Sequence, residues 1–311
     1  LTTTPPTPLA PSAPTAPIGT AGAGQVALSW SAPNANNSAI SDYEIDYSSN
    51  AGSSWDTFTD TVSATTSATV TGLANGTAYL FRIRAVNGIG TSSSSPASTS
   101  VTPIAVAGAP TNVVGNFGNA QAAISWTAPS TNNGSAITDY TIQYSSNGGT
   151  SWSTFAHTAS TSTSATVTGL TNGTSYTFKV AAVNGVGTSS YSTVSSAIIP
   201  ATLPATISGI PGAQAGDQAV TVSWNAPAAN GCAITDYDVE VTSDNGATYS
   251  TFTHSPSAAT SQTVTGLTNG TTYRFRVAAT NCAGTSAFSL LSGAVVPNPV
   301  PSQTSGLTVT T

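Results

Sequence analysis

Hydrophobic positions alternate with small polar ones in short bursts, and clusters of Gly, Asn, Pro and Ser bound each burst. Val26, Leu28 and Trp30 alternate with Ala27 and Ser29, and Tyr43, Ile45 and Tyr47 alternate with Glu44 and Asp46. A period of two puts successive side chains on opposite faces, so each burst predicts a strand with one dry and one wet face. Further strands are expected near residues 54–59, 67–71, 78–86 and 92–101, with an opening strand near Ile18. No helical period is visible. About seven short strands in a hundred residues suit two antiparallel sheets packed face to face.

The pattern then repeats. Thr71-Gly72-Leu73 returns as Thr168-Gly169-Leu170 and Thr265-Gly266-Leu267, a step of 97 residues each time. In the same frame lie Asp42-Tyr43, Asp139-Tyr140 and Asp236-Tyr237, then Asn75-Gly76-Thr77, Asn172-Gly173-Thr174 and Asn269-Gly270-Thr271. A period this long is too large for a solenoid repeat and predicts whole domains, each with its own core. The expected division is a Pro/Thr-rich tail over 1–15, domains over 16–103, 104–200 and 201–297, and a second tail or the start of a further repeat over 298–311. The proline-containing segments Val106–Pro110 and Pro200–Pro204 are expected to act as short, extended linkers.

The Trp on the second strand, the Tyr-x-Ile-x-Tyr third strand and the run Leu73-Ala74-Asn75-Gly76-Thr77-Ala78-Tyr79 resemble the fibronectin type III domain, of the kind common in secreted bacterial or phage proteins. The resemblance covers roughly residues 16–297 and implies an all-β chain of three tandem seven-stranded, immunoglobulin-like sandwiches. The run ending at Tyr79 matches the family's corner, in which the tyrosine hydroxyl bonds back to the chain upstream. Asn75, Asn172 and Asn269 stand where the family usually has proline, and Asn-Gly keeps the turn. Cys232 and Cys282 fall in the third unit alone, in loops that share one end of the sandwich in the resembled fold, which implies a disulfide and an oxidising compartment.

Composition narrows the function. Only 5% of residues are charged, against about 25% in an ordinary soluble domain, while 39% are hydrophobic, enough to build cores. Five cations and a net charge of −6 leave no basic footprint for nucleic acid or a polybasic membrane anchor. No apolar run approaches the length of a membrane-spanning helix. The absence of Met, with Leu1 first, is read as a processed or excised part of a longer precursor.

Candidate chemistry is thin. His157 and His254 share a repeat position with Asp60, which reads as a variable surface site, and no nucleophile-elbow, zinc-protease or phosphate-loop motif is present. No catalytic residue, cofactor or metal site is expected. Asp42, Asp139 and Asp236 could contribute to a calcium site but are better read as turn caps. All five cations, Arg82, Arg84, Lys179, Arg274 and Arg276, lie on the expected sixth strand, and the resemblance implies that its neighbour is the third strand, which carries Glu44 and Asp46 or Asp238 and Glu240 on its outward face; in the second unit Thr141, Gln143 and Ala181 replace acids and base together. Cross-strand ion pairs on the outer face are expected. Trp55, Trp152 and Tyr249 occupy one repeat position; each either covers the edge of its own core or offers a sparse platform for polysaccharide or protein, a reading that needs exposed rings. Asn36, Asn75, Asn133, Asn172 and Asn269 satisfy the glycosylation pattern without predicting occupancy, and no Arg-Gly-Asp is present. The expected role is a non-enzymatic extracellular structural, spacing or adhesive element of a surface filament, appendage or virion fibre. Its expected partners are other copies of itself or neighbouring domains. An accessory part of a secreted polysaccharide-degrading enzyme is the alternative.

Overall fold

The computed structural model describes residues 7–299, which form three β-sandwiches in series with no helix. The first contains β1 (Ile18–Gly22), β2 (Gln25–Ser29), β3 (Ile40–Ser48), β4 (Asp56–Phe58), β5 (Ser67–Thr71) and β6 (Leu80–Asn87). The second contains β7 (Thr111–Gly118), β8 (Gln121–Thr127), β9 (Ile137–Ser145), β10 (Ser153–Thr154), β11 (Ser164–Thr168) and β12 (Thr177–Asn184). The third contains β13 (Gly212–Ala215), β14 (Ala219–Ser223), β15 (Asp236–Thr242), β16 (Ser250–Phe252), β17 (Ser261–Thr265), β18 (Arg274–Asn281) and β19 (Gly284–Thr285). One sheet in each sandwich is β1-β2-β5, β7-β8-β11 or β13-β14-β17; the other is β4-β3-β6, β10-β9-β12 or β16-β15-β18-β19.

The alternation seen in the sequence is the core. Val26, Leu28 and Trp30 meet Tyr43 and Ile45 of β3 and Phe81, Ile83 and Ala85 of β6, and equivalent residues fill the other two cores. Full burial of a side chain such as Phe81 or Ile45 stabilises by about 1.5–3 kcal/mol. In each sandwich the tryptophan meets a tyrosine edge-on or tilted, at centroid distances of 5.2, 5.1 and 5.0 Å. Burial pushes the phenols of Tyr43, Tyr140 and Tyr237 up, and the adjacent indole acts in the opposite direction.

One turn in each sandwich is pinned as the resemblance implies, and a second contact beside it was not anticipated. The hydroxyls of Tyr79, Tyr176 and Tyr273 accept from the amides of Ala74, Thr171 and Thr268 at 3.0–3.2 Å. Asn75, Asn172 and Asn269 then accept from the amides of Gly24, Ala120 and Gln218 through Oδ1, so the residue in the usual proline position ties the tyrosine corner to the turn of the first hairpin.

The last segment of each sandwich departs from a strand. Main-chain bonds join Ser92, Ser95, Ser98 and Val101 to Ala85, Ile83, Phe81 and Tyr79, so three residues on one side oppose two on the other. A period-two strand could not face all three serines inward. The buried hydroxyls of Ser92, Ser95 and Ser98 accept from the amides of Ala85, Ile83 and Phe81 and donate to the carbonyls of the residues that follow them. Ser189, Ser192 and Ser195 repeat the device in the second sandwich, and Ser286, Ser289 and Ser292 in the third.

Within the described residues the Pro/Thr-rich tail is fastened to the first sandwich. Leu9 and Ser12 donate main-chain bonds to Asn36 and Asn34, and Pro11, Pro14 and Pro17 are buried. Residues 1–6 and 300–311, the latter being most of the expected second tail or start of a further repeat, lie outside the described residues. Val106–Pro110, expected as a short extended linker, is fastened to the second sandwich: Gly108 bonds to Thr131, and Ala107 is buried in the second core.

Ser95→Ala is expected to strand the buried Ile83 amide and destabilise the first sandwich by about 1–3 kcal/mol. Ser93→Ala, at an exposed position, should stay within about 0.5 kcal/mol. Urea unfolding of the two variants checks the difference.

Candidate functional site

Most of the chain's charge and its half-buried aromatic rings gather on the outer face of the β4-β3-β6 sheet and its two counterparts. β3 and β6 place Glu44 opposite Arg84 and Asp46 opposite Arg82. Arg82 reaches Asp46 at 3.0 Å, while Arg84 reaches both Glu44 and Asp46 at 3.2 Å. Asp46 does not stand on an open outer face, as the alternation predicts. It is 3% exposed, roofed by the two guanidinium groups and bonded to the Thr57 hydroxyl of β4.

The third sandwich keeps one such pair. Arg276 bonds Glu240 at 2.6 Å. Arg274 lies opposite Thr242 and donates to the Ser292 carbonyl, and Asp238 lies opposite Ala278, so the two expected pairs reduce to one. In the second sandwich Lys179 faces Gln143, and no carboxylate lies within 4.0 Å of it among the described residues.

Trp55, Trp152 and Tyr249 sit just before the edge strands β4, β10 and β16, and all three are half-buried. Each packs against a cation: Arg82 lies 4.4 Å from the Trp55 ring, Lys179 4.1 Å from Trp152 and Arg276 3.4 Å from Tyr249. A second ring closes the stack in two sandwiches, Tyr191 at 4.6 Å from Lys179 and Phe288 at 4.5 Å from Arg276. These clamps hold a cation between π faces, each contact worth about 0.5–1 kcal/mol at a partly exposed site. The sequence reading missed Tyr191 and Phe288, although they lie one repeat apart, because it assigned their segment to a period-two strand.

The remaining candidates are structural. The Asp42, Asp139 and Asp236 carboxylates accept from the amides of Ser63, Ser160 and Ser257, so they fasten a segment 21 residues onward where a cap on the local turn was expected. No cluster of three metal-ligating side chains occurs among the described residues. His157 and His254 stack on Phe155 and Phe252, and both ring nitrogens of each face backbone carbonyls. At the same position burial, and then Asp42, push the Asp60 carboxyl up. Cys232 and Cys282 form a disulfide with a Cα separation of 5.9 Å. The buried asparagines Asn87, Asn184 and Asn281 escaped notice. Their side-chain amides donate to Leu9, Ala105 and Thr202 of the incoming chain and to carbonyls of the neighbouring loop.

The arrangement therefore offers anchored charge and half-exposed rings, and among the described residues no nucleophile, base and orienting group are brought together. A family model for the fibronectin type III domain matches residues 10–101, 108–198 and 206–292. The chain belongs to that family. It is 29% identical over 227 residues to Myomesin-2 of Homo sapiens, covering 68% of this chain and 15% of that protein. It is 28% identical over 287 residues to M-protein, striated muscle, of Gallus gallus, covering 89% of this chain and 20% of that one. Chitinase A1 of Niallia circulans is 32% identical over 190 residues, 57% of this chain and 24% of its own length. The chain thus spans a quarter or less of each of these relatives. The crystal structure of chicken CNTN1 FN1-FN3 domains is similar over 93% of this chain and 99% of that one, at 22% identity and a TM-score of 0.37.

Asp46→Ala is expected to cost about 2–3 kcal/mol, below the range for a fully buried pair because the arginines are 31% exposed. Glu44→Ala, at a side chain 38% exposed, should cost under about 1 kcal/mol and lose its effect in salt. Equal costs in denaturant titrations would contradict the burial difference. A second expectation concerns Asp244, whose carboxyl is held below the usual carboxylate range by the Thr248 hydroxyl, the Thr248 amide and the Thr242 hydroxyl. A depressed folded value adds stability above the unfolded pKa of about 3.9 and loses it as pH falls through the folded one. The advantage of wild type over Asp244→Asn should therefore shrink on acidification; a difference that does not change with pH would refute it.

Proposed function

We propose that this chain is a non-catalytic extracellular spacer, a run of fibronectin type III domains whose product is reach and whose partners are neighbouring domains or other copies of itself. The carrying observation is how the chain crosses between sandwiches. Gly76 of the first bonds the Pro103 carbonyl at 2.8 Å, and Ala105 bonds Asn133 of the second at 3.0 Å, leaving Ile104 alone between the two anchors. At the next crossing Gly173 holds Pro200 at 2.9 Å and Thr202 holds Asn230 at 3.1 Å, with Ala201 between them. So short a free length resists bending. The Cys232–Cys282 bridge supports an oxidising, extracellular setting. The similarity to Myomesin-2 and M-protein supports a structural role, and a surface filament, appendage or virion fibre is the setting that such reach serves.

Small-angle X-ray scattering is expected to fit a single extended arrangement; a broad distribution of bent forms would overturn the spacer reading. The half-exposed rings and the similarity to a chitinase favour one second reading, an accessory polysaccharide-binding part. Sedimentation with insoluble chitin separates the two. The spacer reading expects no retention, whereas retention lost in Trp55→Ala and Trp152→Ala would establish the second.

A further inference from the structure

Each crossing between sandwiches sets glycine against glycine. A Cβ on Gly134 would stand 2.8 Å from the Cα and N of Gly76 and 3.1 Å from Ile104 Cγ2. A Cβ on Gly231 would stand 2.5 Å from the Pro200 carbonyl oxygen and 2.8 Å from the Gly173 nitrogen. These neighbours are mostly main chain and cannot swing aside. The Asn-Gly turn of one sandwich thus seats the glycine-bearing loop of the next, and both seated glycines have left-handed φ, 81° and 105°.

The first and third sandwiches differ at their outer poles. In the first, the position of Gly134 and Gly231 holds Asn37, exposed and at φ 63°. In the third, the Asn269-Gly270 turn has the geometry of the two occupied turns. Gly270 bonds the Pro297 carbonyl at 3.0 Å, Leu267 bonds Gln218 at 3.0 Å, and Asn269 Oδ1 accepts from the Gln218 amide at 2.9 Å. A Cβ on Gly270 would meet nothing within 4 Å among the described residues.

We propose that the Asn269-Gly270 turn is a docking surface for a further fibronectin type III domain, one with glycine at the position of Gly134 and Gly231, and that Asn37 bars the first sandwich from it. The surface continues an interface that the molecule already forms twice. Copies of this chain then do not stack end to end through it: the loops bearing Gly134 and Gly231 are already seated, and the loop bearing Asn37 carries a side chain where the interface has no room. This rests on the spacer reading for the rigidity of the two existing crossings.

The test extends the full chain after Pro297 with a second copy of residues 201–297, so that a second Ala201 follows Pro297 as the first follows Pro200. Spin-label pairs across each crossing are read by pulsed dipolar spectroscopy. The added crossing should give a narrow distance peak matching that between the second and third sandwiches, and Gly231→Asn in the added copy should abolish it. A companion extension with residues 8–103 should give a broad distribution that Asn37→Gly converts to a narrow peak, a gain that misfolding cannot mimic. A broad peak for the glycine-bearing extension, or a narrow one with asparagine, overturns the docking surface. Broad peaks at the two native crossings overturn the spacer reading itself.

Discussion

The structure depends on satisfying the main-chain groups of one strand in each sandwich, β6, β12 and β18. These strands run through the core, with Phe81, Phe178 and Phe275 fully buried, and any amide left unpaired there would cost about 1–3 kcal/mol. On one side the pairing is an ordinary antiparallel ladder with β3, β9 and β15. On the other a segment in three-residue steps supplies a serine amide to each carbonyl and a serine hydroxyl to each amide. The same arrangement closes an edge: a segment paired at every third residue offers no regular row of groups to an added strand.

The ends of those strands control how the sandwiches are joined. Asn87, Asn184 and Asn281 are 5% exposed, and each binds the incoming chain on its amide nitrogen and a local turn on its oxygen. The entering chain is therefore fixed by the domain it enters, while the Asn-Gly turn of the domain behind fixes its exit. Domain spacing follows from these bonds more than from the stiffness of proline.

Charge is spent in few places. Five cations serve a chain of 311 residues. Arg82, Lys179 and Arg276 lie against aromatic rings, and Arg84 joins Arg82 over Asp46. Long side chains lying along rings cover the sheet edge with their own stems as well as their charge. The net effect is an outer face that is covered without being oily. Lys179, held between Trp152 and Tyr191 with a glutamine opposite, differs from its counterparts in having no acid within 4.0 Å among the described residues.

The sequence by itself determined the fold class, the three-fold repetition, the residues of each core and the family, because period-two alternation and a 97-residue step are properties of order along the chain. Alternation also put Glu44 and Asp46 on one face of their strand and Arg82 and Arg84 on one face of theirs, and the family resemblance set the two strands side by side. Tertiary structure decided the rest. Asp46 is buried because two arginines fold over it, and no one-dimensional pattern records how far a side chain bends. The serine steps were present as Ser92, Ser95 and Ser98, but their meaning appears only when the partner strand supplies amides at two-residue intervals. The need for glycine at Gly134, where a Cβ would stand 2.8 Å from the main chain of Gly76, depends on how closely a neighbouring domain approaches, which is set by two folded surfaces and by no single stretch of chain.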